Sequence, residues 1–245
     1  MATSKQREFF NGEIYHIVLR SVEGIKIFKD DSDYYRAIFG LYEFNNDHPV
    51  NIWKNRKKRK AKQQVVLGST SPNLISKNLF SLKRDRIVEI LAFCLMPNHI
   101  HLLLRQIKDQ GITKFMRKFG TGYAMYFNKK YDRKGHLFQS NFVSVHIKNE
   151  AQLSVVFNYI HLNPVSIIFP HYKEKGIADV EKAMSFLESY KWSSLLDYLG
   201  QKNFPSVTQR DFMLEVISDP KLVREEILSW LKQKKEVKET EVLLE

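Results

Sequence analysis

At 245 residues the chain is long enough to bury a sizeable core, as one large domain or as one domain with an appendage. Lys and Arg outnumber Asp and Glu 39 to 27, and the formal net charge of +12 favours polyanionic partners, nucleic acid ahead of an anionic membrane. No apolar run approaches the roughly 20 residues of a membrane span, the polar opening Met1-Ala2-Thr3-Ser4-Lys5-Gln6-Arg7 lacks a signal peptide's apolar core, and the lone cysteine, Cys94, excludes an internal disulfide and a cysteine-based zinc site, so a cytoplasmic protein is expected.

Ile14-Tyr15-His16-Ile17-Val18-Leu19 predicts a first strand, with His16 and Arg20 on one face by the two-residue period. Asp30-Asp31-Ser32 then offers N-cap chemistry for a helix carrying Tyr35, Ile38, Leu41 and Tyr42. The pattern breaks between about 52 and 84, where seven of the nine residues from Lys54 to Lys62 are basic and Gly68-Ser69-Thr70-Ser71-Pro72-Asn73 has loop composition. This reads as an inserted basic arm, in which Lys54, Arg56, Lys57, Lys58, Arg59 and Lys60 would contact phosphates without reading bases; a solvated loop is the plainer alternative. Two strands follow, Ile87 to Leu95 and His99 to Gln106, joined through Met96-Pro97-Asn98 as an antiparallel pair.

Ile112, Phe115, Met116, Phe119, Tyr123, Tyr126 and Phe127 recur at steps of three and four, one apolar stripe on a long helix. Lys114, Arg117 and Lys118 lie on its other side, as a solvated face or as phosphate contacts. Phe142 to Ile147 alternates as a fourth strand, and residues 150 to 163 predict another helix. The order β-α-β-β-α-β-α suits an α+β fold: a ferredoxin-like, split β-α-β antiparallel sheet with its helices on one face. Residues 1–170 would form this domain, and 171–245 a helical extension with an amphipathic helix from Ile217 to Lys232 and a frayed tail from Lys232 to Glu245.

His99 and His101 open an apolar strand and project from one face, where two imidazole nitrogens can converge on one cation. Two hydrogen-bonded histidines in an ordinary sheet are the plainer reading. On the helix Gln152 to Asn163 the core stripe is Leu153, Val156, Phe157 and Ile160. At about 100° per residue, Tyr159 and Asn163 fall about 40° apart on one flank, and His161 on the other. Pro164 disfavours helical geometry at Asn163, which places it at the helix end with its carbonyl oxygen available to a cation. A rim tyrosine and a terminal asparagine would also occur on an ordinary amphipathic helix.

Four ordered blocks carry a resemblance: Met96-Pro97-Asn98-His99-Ile100-His101-Leu102-Leu103, Arg133-Lys134-Gly135-His136-Leu137-Phe138-Gln139, Tyr159-Ile160-His161-Leu162-Asn163-Pro164-Val165 and Tyr190-Lys191-Trp192-Ser193-Ser194. With Gly12-Glu13-Ile14-Tyr15-His16-Ile17, they resemble the single-tyrosine HUH transposases, and within them the REP-associated tyrosine transposases, from about Asn11 to Leu199. The resemblance implies the HUH endonuclease fold, His99 and His101 as metal ligands, Tyr159 as nucleophile and Asn163 as third metal-binding side chain. With that shell, phosphate chemistry favours Mg²⁺ or Mn²⁺, the imidazoles tilt the choice between these two towards Mn²⁺, and zinc is the lesser alternative. The expected activity is single-stranded DNA cleavage and strand transfer through a 5′-phosphotyrosine, at hairpins or repeats, with no nucleotide cofactor. A bacterial cytoplasmic protein working on nucleoid DNA would follow.

His136 and Gln139 belong to a matched block as structural support or DNA contacts; His16 and Arg20, on one strand face, are candidate substrate contacts, although an arginine at a strand end is ordinary. Tyr123 and Tyr126 are rival nucleophiles that lie on the apolar stripe. The alternative function is a domesticated, catalytically silent DNA-hairpin-binding protein. A replication or mobilisation nicking enzyme is a third reading, which the short chain without a helicase-like segment disfavours. Monomer and homodimer stay open, as do DNA recognition, bracing of the site and dimerisation for the C-terminal helices.

Overall fold

A computed structural model describes residues 8–50, 84–139, 141–217 and 219–232. The predicted basic arm, with Lys54, Arg56, Lys57, Lys58, Arg59 and Lys60, lies outside the described residues, and so does the tail beyond Lys232. Four strands, β1 (Ile14–Arg20), β2 (Val88–Met96), β3 (His99–Gln106) and β4 (Val143–Ile147), pair antiparallel in the order β2-β3-β1-β4. With α1 (Asp31–Phe44) between β1 and β2, and α2 (Gly111–Lys130) between β3 and β4, this is the expected ferredoxin-like topology.

The strands β1, β2 and β3 bury both faces, so this part of the sheet needs cover on both sides. Ile17, Leu19, Ile100, Leu102 and Leu104 alternate onto one face, and all are buried beneath α1 and α2, which pack on each other. The two helices approach closely at Gly122, where a Cβ would stand 2.2 Å from the Phe44 ring, so only glycine fits there. Rather than joining the other helices on one face, as expected, the helix α3 (Glu150–Leu162) covers the opposite face, which carries His16, Val18, Arg20, His99 and His101. Its expected stripe of Leu153, Val156, Phe157 and Ile160 is buried.

The outer edge of β2 is closed by the chain after α4 (Val165–Ile168), α5 (Tyr172–Lys175) and α6 (Val180–Ser189). Leu95 N–H donates to the Trp192 carbonyl at 2.9 Å and Ser194 N–H to the Phe93 carbonyl at 3.0 Å, so the fourth sequence block satisfies an otherwise open strand edge. His161 joins this lock through Nε2 and Ser194 Oγ at 2.8 Å, and burial pushes its pKa down to about 3, which keeps the ring neutral. The chain continues through α7 (Leu195–Tyr198) and α8 (Asp211–Ile217) to α9 (Pro220–Lys232). Val223, Ile227 and Leu231 of α9 are buried, and the helix packs on α6 and α3. Asn158 of α3 donates through Nδ2 to Glu226 Oε2 at 3.1 Å.

Three local expectations change. Tyr35 is half exposed, edge-on to Trp192 at 5.0 Å, because α1 buries Ala37, Ile38, Leu41 and Phe44 instead. The helix expected over Ile217 to Lys232 begins at Pro220, whose missing N–H costs nothing in a first turn. Asn163 keeps helical dihedrals (φ −50°, ψ −40°) because Pro164 enters the next helical turn directly.

Candidate active site

The alternation of β3 sets the His99 and His101 rings on one face with centroids 4.8 Å apart and planes at 79°. Asn98, in the turn before β3, places Oδ1 2.7 Å from His99 Nδ1. A carboxamide oxygen only accepts, so the imidazole hydrogen sits on Nδ1 and the ring's lone pair is on Nε2. The turn itself is held by the loop after β1: Ser21 N–H donates to the Asn98 carbonyl at 3.0 Å and Ile27 N–H to the Pro97 carbonyl at 2.8 Å. On β1, His16 stacks parallel to His101, with Nε2 3.0 Å from His101 Nδ1. His16 is fully buried, and desolvation pushes its pKa down to about 3, so it is neutral.

Asn149 caps α3 by accepting from Gln152 N–H at 2.8 Å, fixing where the helix starts and so which face Tyr159 occupies. The Tyr159 ring meets both His101 and His16 edge-on, at 5.7 and 5.9 Å between centroids. One turn on, Asn163 donates from Nδ2 to the Tyr159 carbonyl at 2.8 Å, which fixes the rotation of its carboxamide. His99, His101, Tyr159, Asn163, Arg20 and Gln139 share the wall of one pocket of about 320 Å³. Gln139 gets there because its N–H donates to the Arg20 carbonyl at 2.9 Å, and Val22 N–H donates to the Leu137 carbonyl at 3.0 Å. The second sequence block is thus docked on the end of β1.

The other sequence candidates sit elsewhere. His136 is exposed and outside the pocket wall. Lys114, Arg117 and Lys118 lie on α2, across the sheet from the pocket; Arg117 is exposed, and Lys114 reaches Asp47 at 3.4 Å. Lys118 Nζ donates to the carbonyls of Asn46, Asp47 and His48, closing the chain after α1, and desolvation lowers its pKa. Of the rival tyrosines, Tyr123 is buried with its hydroxyl on the Ile27 carbonyl at 2.6 Å and its pKa raised by desolvation, and Tyr126 donates to Asp33 Oδ1 at 3.0 Å. Neither lines the pocket.

Among the described residues no three His, Cys, Asp or Glu side chains gather as a metal site. The available donors are two imidazoles and one carboxamide. They fit a divalent cation: His99 offers Nε2 because Asn98 takes its Nδ1 hydrogen, and Asn163 offers an oxygen because its Nδ2 is held by Tyr159. Sequence reasoning did not single out Asn98, although its place just before the first histidine of a strand could have suggested a hydrogen-bond partner.

Residues 45–163 match the family described as "Transposase IS200 like". That stretch contains His99, His101, Tyr159 and Asn163 and leaves β1 outside it. Similar solved structures include a REP-associated tyrosine transposase bound to a REP hairpin, 12% identical over 85% of this chain and 92% of that chain, with a TM-score of 0.37. Another is tRNA(His) guanylyltransferase from Saccharomyces cerevisiae, 12% identical over 94% of this chain and 82% of that chain, with a TM-score of 0.30. No curated protein sequence matches the chain significantly.

Proposed function

Since this chain belongs, through residues 45–163, to the IS200-like transposase family, we propose that it is a DNA transposase that cleaves and rejoins single-stranded DNA through a 5′-phosphotyrosine on Tyr159. The observation that carries this reading is the convergence of one tyrosine, two histidines and one asparagine on one pocket, beside an exposed arginine. The substrate would be hairpin or repeat DNA, and the protein would work in the cytoplasm. No helix among the described residues is long and apolar enough to cross a membrane.

The chemistry follows from the residue types. The Tyr159 oxygen attacks phosphorus and gives up its proton; the phosphorus bond to the 3′ oxygen breaks, and that oxygen leaves as a hydroxyl after taking a proton. The 5′ phosphate stays on tyrosine as a diester, so the hydroxyl of another strand can reverse the step and join DNA without a nucleotide cofactor. A phenol with an ordinary pKa near 10 attacking an anionic diester needs charge relief. Mg²⁺ or Mn²⁺ held by His99, His101 and Asn163 would supply it by neutralising the non-bridging oxygens. Arg20 would hold a phosphate oxygen at the pocket mouth, and Gln139 an adjoining phosphate or base edge.

Burial of Tyr159 supports its role further, because a nucleophile with 6% exposure reaches only DNA that enters the pocket. The test uses single-stranded hairpin oligonucleotides with Mg²⁺ or Mn²⁺ on denaturing gels. Wild type should give a covalent protein–DNA band that Tyr159→Phe lacks entirely, with both proteins binding the same hairpin. Hairpin binding without a band from either protein, with both metals, would instead establish the catalytically silent binding protein.

A further inference from the structure

His16 lies outside the family-matched segment and lines no part of the pocket, yet it places an imidazole in the dry interior. Its Nδ1 is buried with no hydrogen-bond partner, an arrangement that an apolar side chain of the same size would avoid. Its one directed contact is Nε2 to His101 Nδ1, at 3.0 Å between rings only 8° from parallel. A neutral pair at that distance shares a single hydrogen. If it belongs to His16, then His101 carries its own hydrogen on Nε2, the nitrogen directed to the cation. If it belongs to His101, that Nε2 has a lone pair, and a cation displaces no proton from it.

Resting on the metal-site reading above, we propose that His16 is a positioning residue: it accepts the His101 Nδ1 hydrogen and so holds His101 in the tautomer that binds the cation through Nε2. In this tautomer the His16 hydrogen sits on Nδ1, a buried N–H without a partner, a cost that the contact with His101 must offset. Asn98 does the same for His99, so each imidazole has an acceptor behind it: a carboxamide for one, a second imidazole for the other.

The test titrates Mn²⁺ into the full chain by calorimetry, for wild type, His16→Phe, His16→Gln and His101→Ala, alongside thermal melts. Phe keeps the ring stack and removes the acceptor; Gln returns an acceptor at the Nε2 position. The expected result is a Kd raised about 10- to 100-fold in His16→Phe, largely restored in His16→Gln, while the His16→Phe melting temperature is not lowered. A purely packing role would move the melt and leave Kd alone. Nitrogen-detected NMR of wild type, free of metal, should find the His101 hydrogen on Nδ1. A His16→Phe Kd within twofold of wild type, or a His101 hydrogen on Nε2, overturns the proposal for His16 alone. Mn²⁺ affinity unchanged by His101→Ala overturns the metal-site reading, and the His16 proposal with it.

Discussion

Lys130→Met isolates the charge network that clamps the start of α1 to the end of α2. Lys130 Nζ donates to Asp30 at 2.8 and 2.9 Å, to Ser32 Oγ at 2.7 Å and to Asp33 Oδ1 at 2.7 Å. Asp33 is fully buried. It also accepts from Lys29 N–H at 2.8 Å, from the Tyr131 hydroxyl at 2.7 Å and from the Tyr126 hydroxyl at 3.0 Å. Met keeps most of the stem and deletes the charge, leaving a buried carboxylate with neutral donors only. Removing one partner of a buried ion pair costs about 3–5 kcal/mol; four surviving donors, these three and the Asp30 N–H at 3.3 Å, place this case near the lower end, about 3 kcal/mol. At this chain length that lowers the melting temperature by about 6–12 °C.

Burial alone would raise the Asp33 pKa, but hydrogen bonds from Lys130, Tyr131 and the Lys29 N–H outweigh it and leave the group below its ordinary 3.8. Hydrogen bonds from Lys130 and Ser32 hold Asp30 well below it too. Depressed carboxylate values contribute stability that is present above the unfolded value and lost as the pH falls through the folded one. The gap between wild type and variant should therefore be full at pH 7 and shrink below about pH 4. Urea unfolding from pH 7 down to 3 reads it. Loss of less than about 1 kcal/mol at pH 7, or a gap that widens in acid, would refute the reasoning.

Asn98→Leu removes the acceptor behind His99 and should raise the Mn²⁺ Kd about 10- to 100-fold by calorimetry, with hairpin binding in the absence of metal unchanged. Gly122→Ala puts a Cβ 2.2 Å from Phe44 Cζ and should cost about 1–3 kcal/mol in urea unfolding. Ile227→Ala hollows the contact of α9 with α3 and α6 and should cost about 2–5 kcal/mol. It should also raise amide exchange in α3, since the C-terminal helix braces the tyrosine helix; unchanged exchange there would refute that role.

The strands and long helices were legible because each satisfies one period. The continuous run Ile14–Leu19 became a strand buried on both faces, and the three-four spacing of Ile112–Phe127 became the buried face of a helix. The convergence of His99, His101, Tyr159 and Asn163 could be expected from period and resemblance together, since neither spacing alone brings a strand to a helix 60 residues later. What stayed illegible depended on contacts distant in sequence. Trp192 and Ser194 read as an unassigned block and became the closure of β2, a pairing made across about 100 residues. Tyr35 read as core by helical spacing, yet Trp192 took it onto an exposed aromatic edge. His16 read as a substrate contact, and its burial behind His101 followed only from the register of β1 with β3.

The most direct test of the account is to locate the DNA on the protein. Between Lys148 and Lys173 there is no tryptic site, so one peptide carries both Tyr159 and Tyr172. After reaction with a hairpin oligonucleotide, nuclease trimming and trypsin, fragmentation of that peptide should place the residual nucleotide on Tyr159. A nucleotide on Tyr172, Tyr123 or Tyr126 would contradict the assignment of the nucleophile.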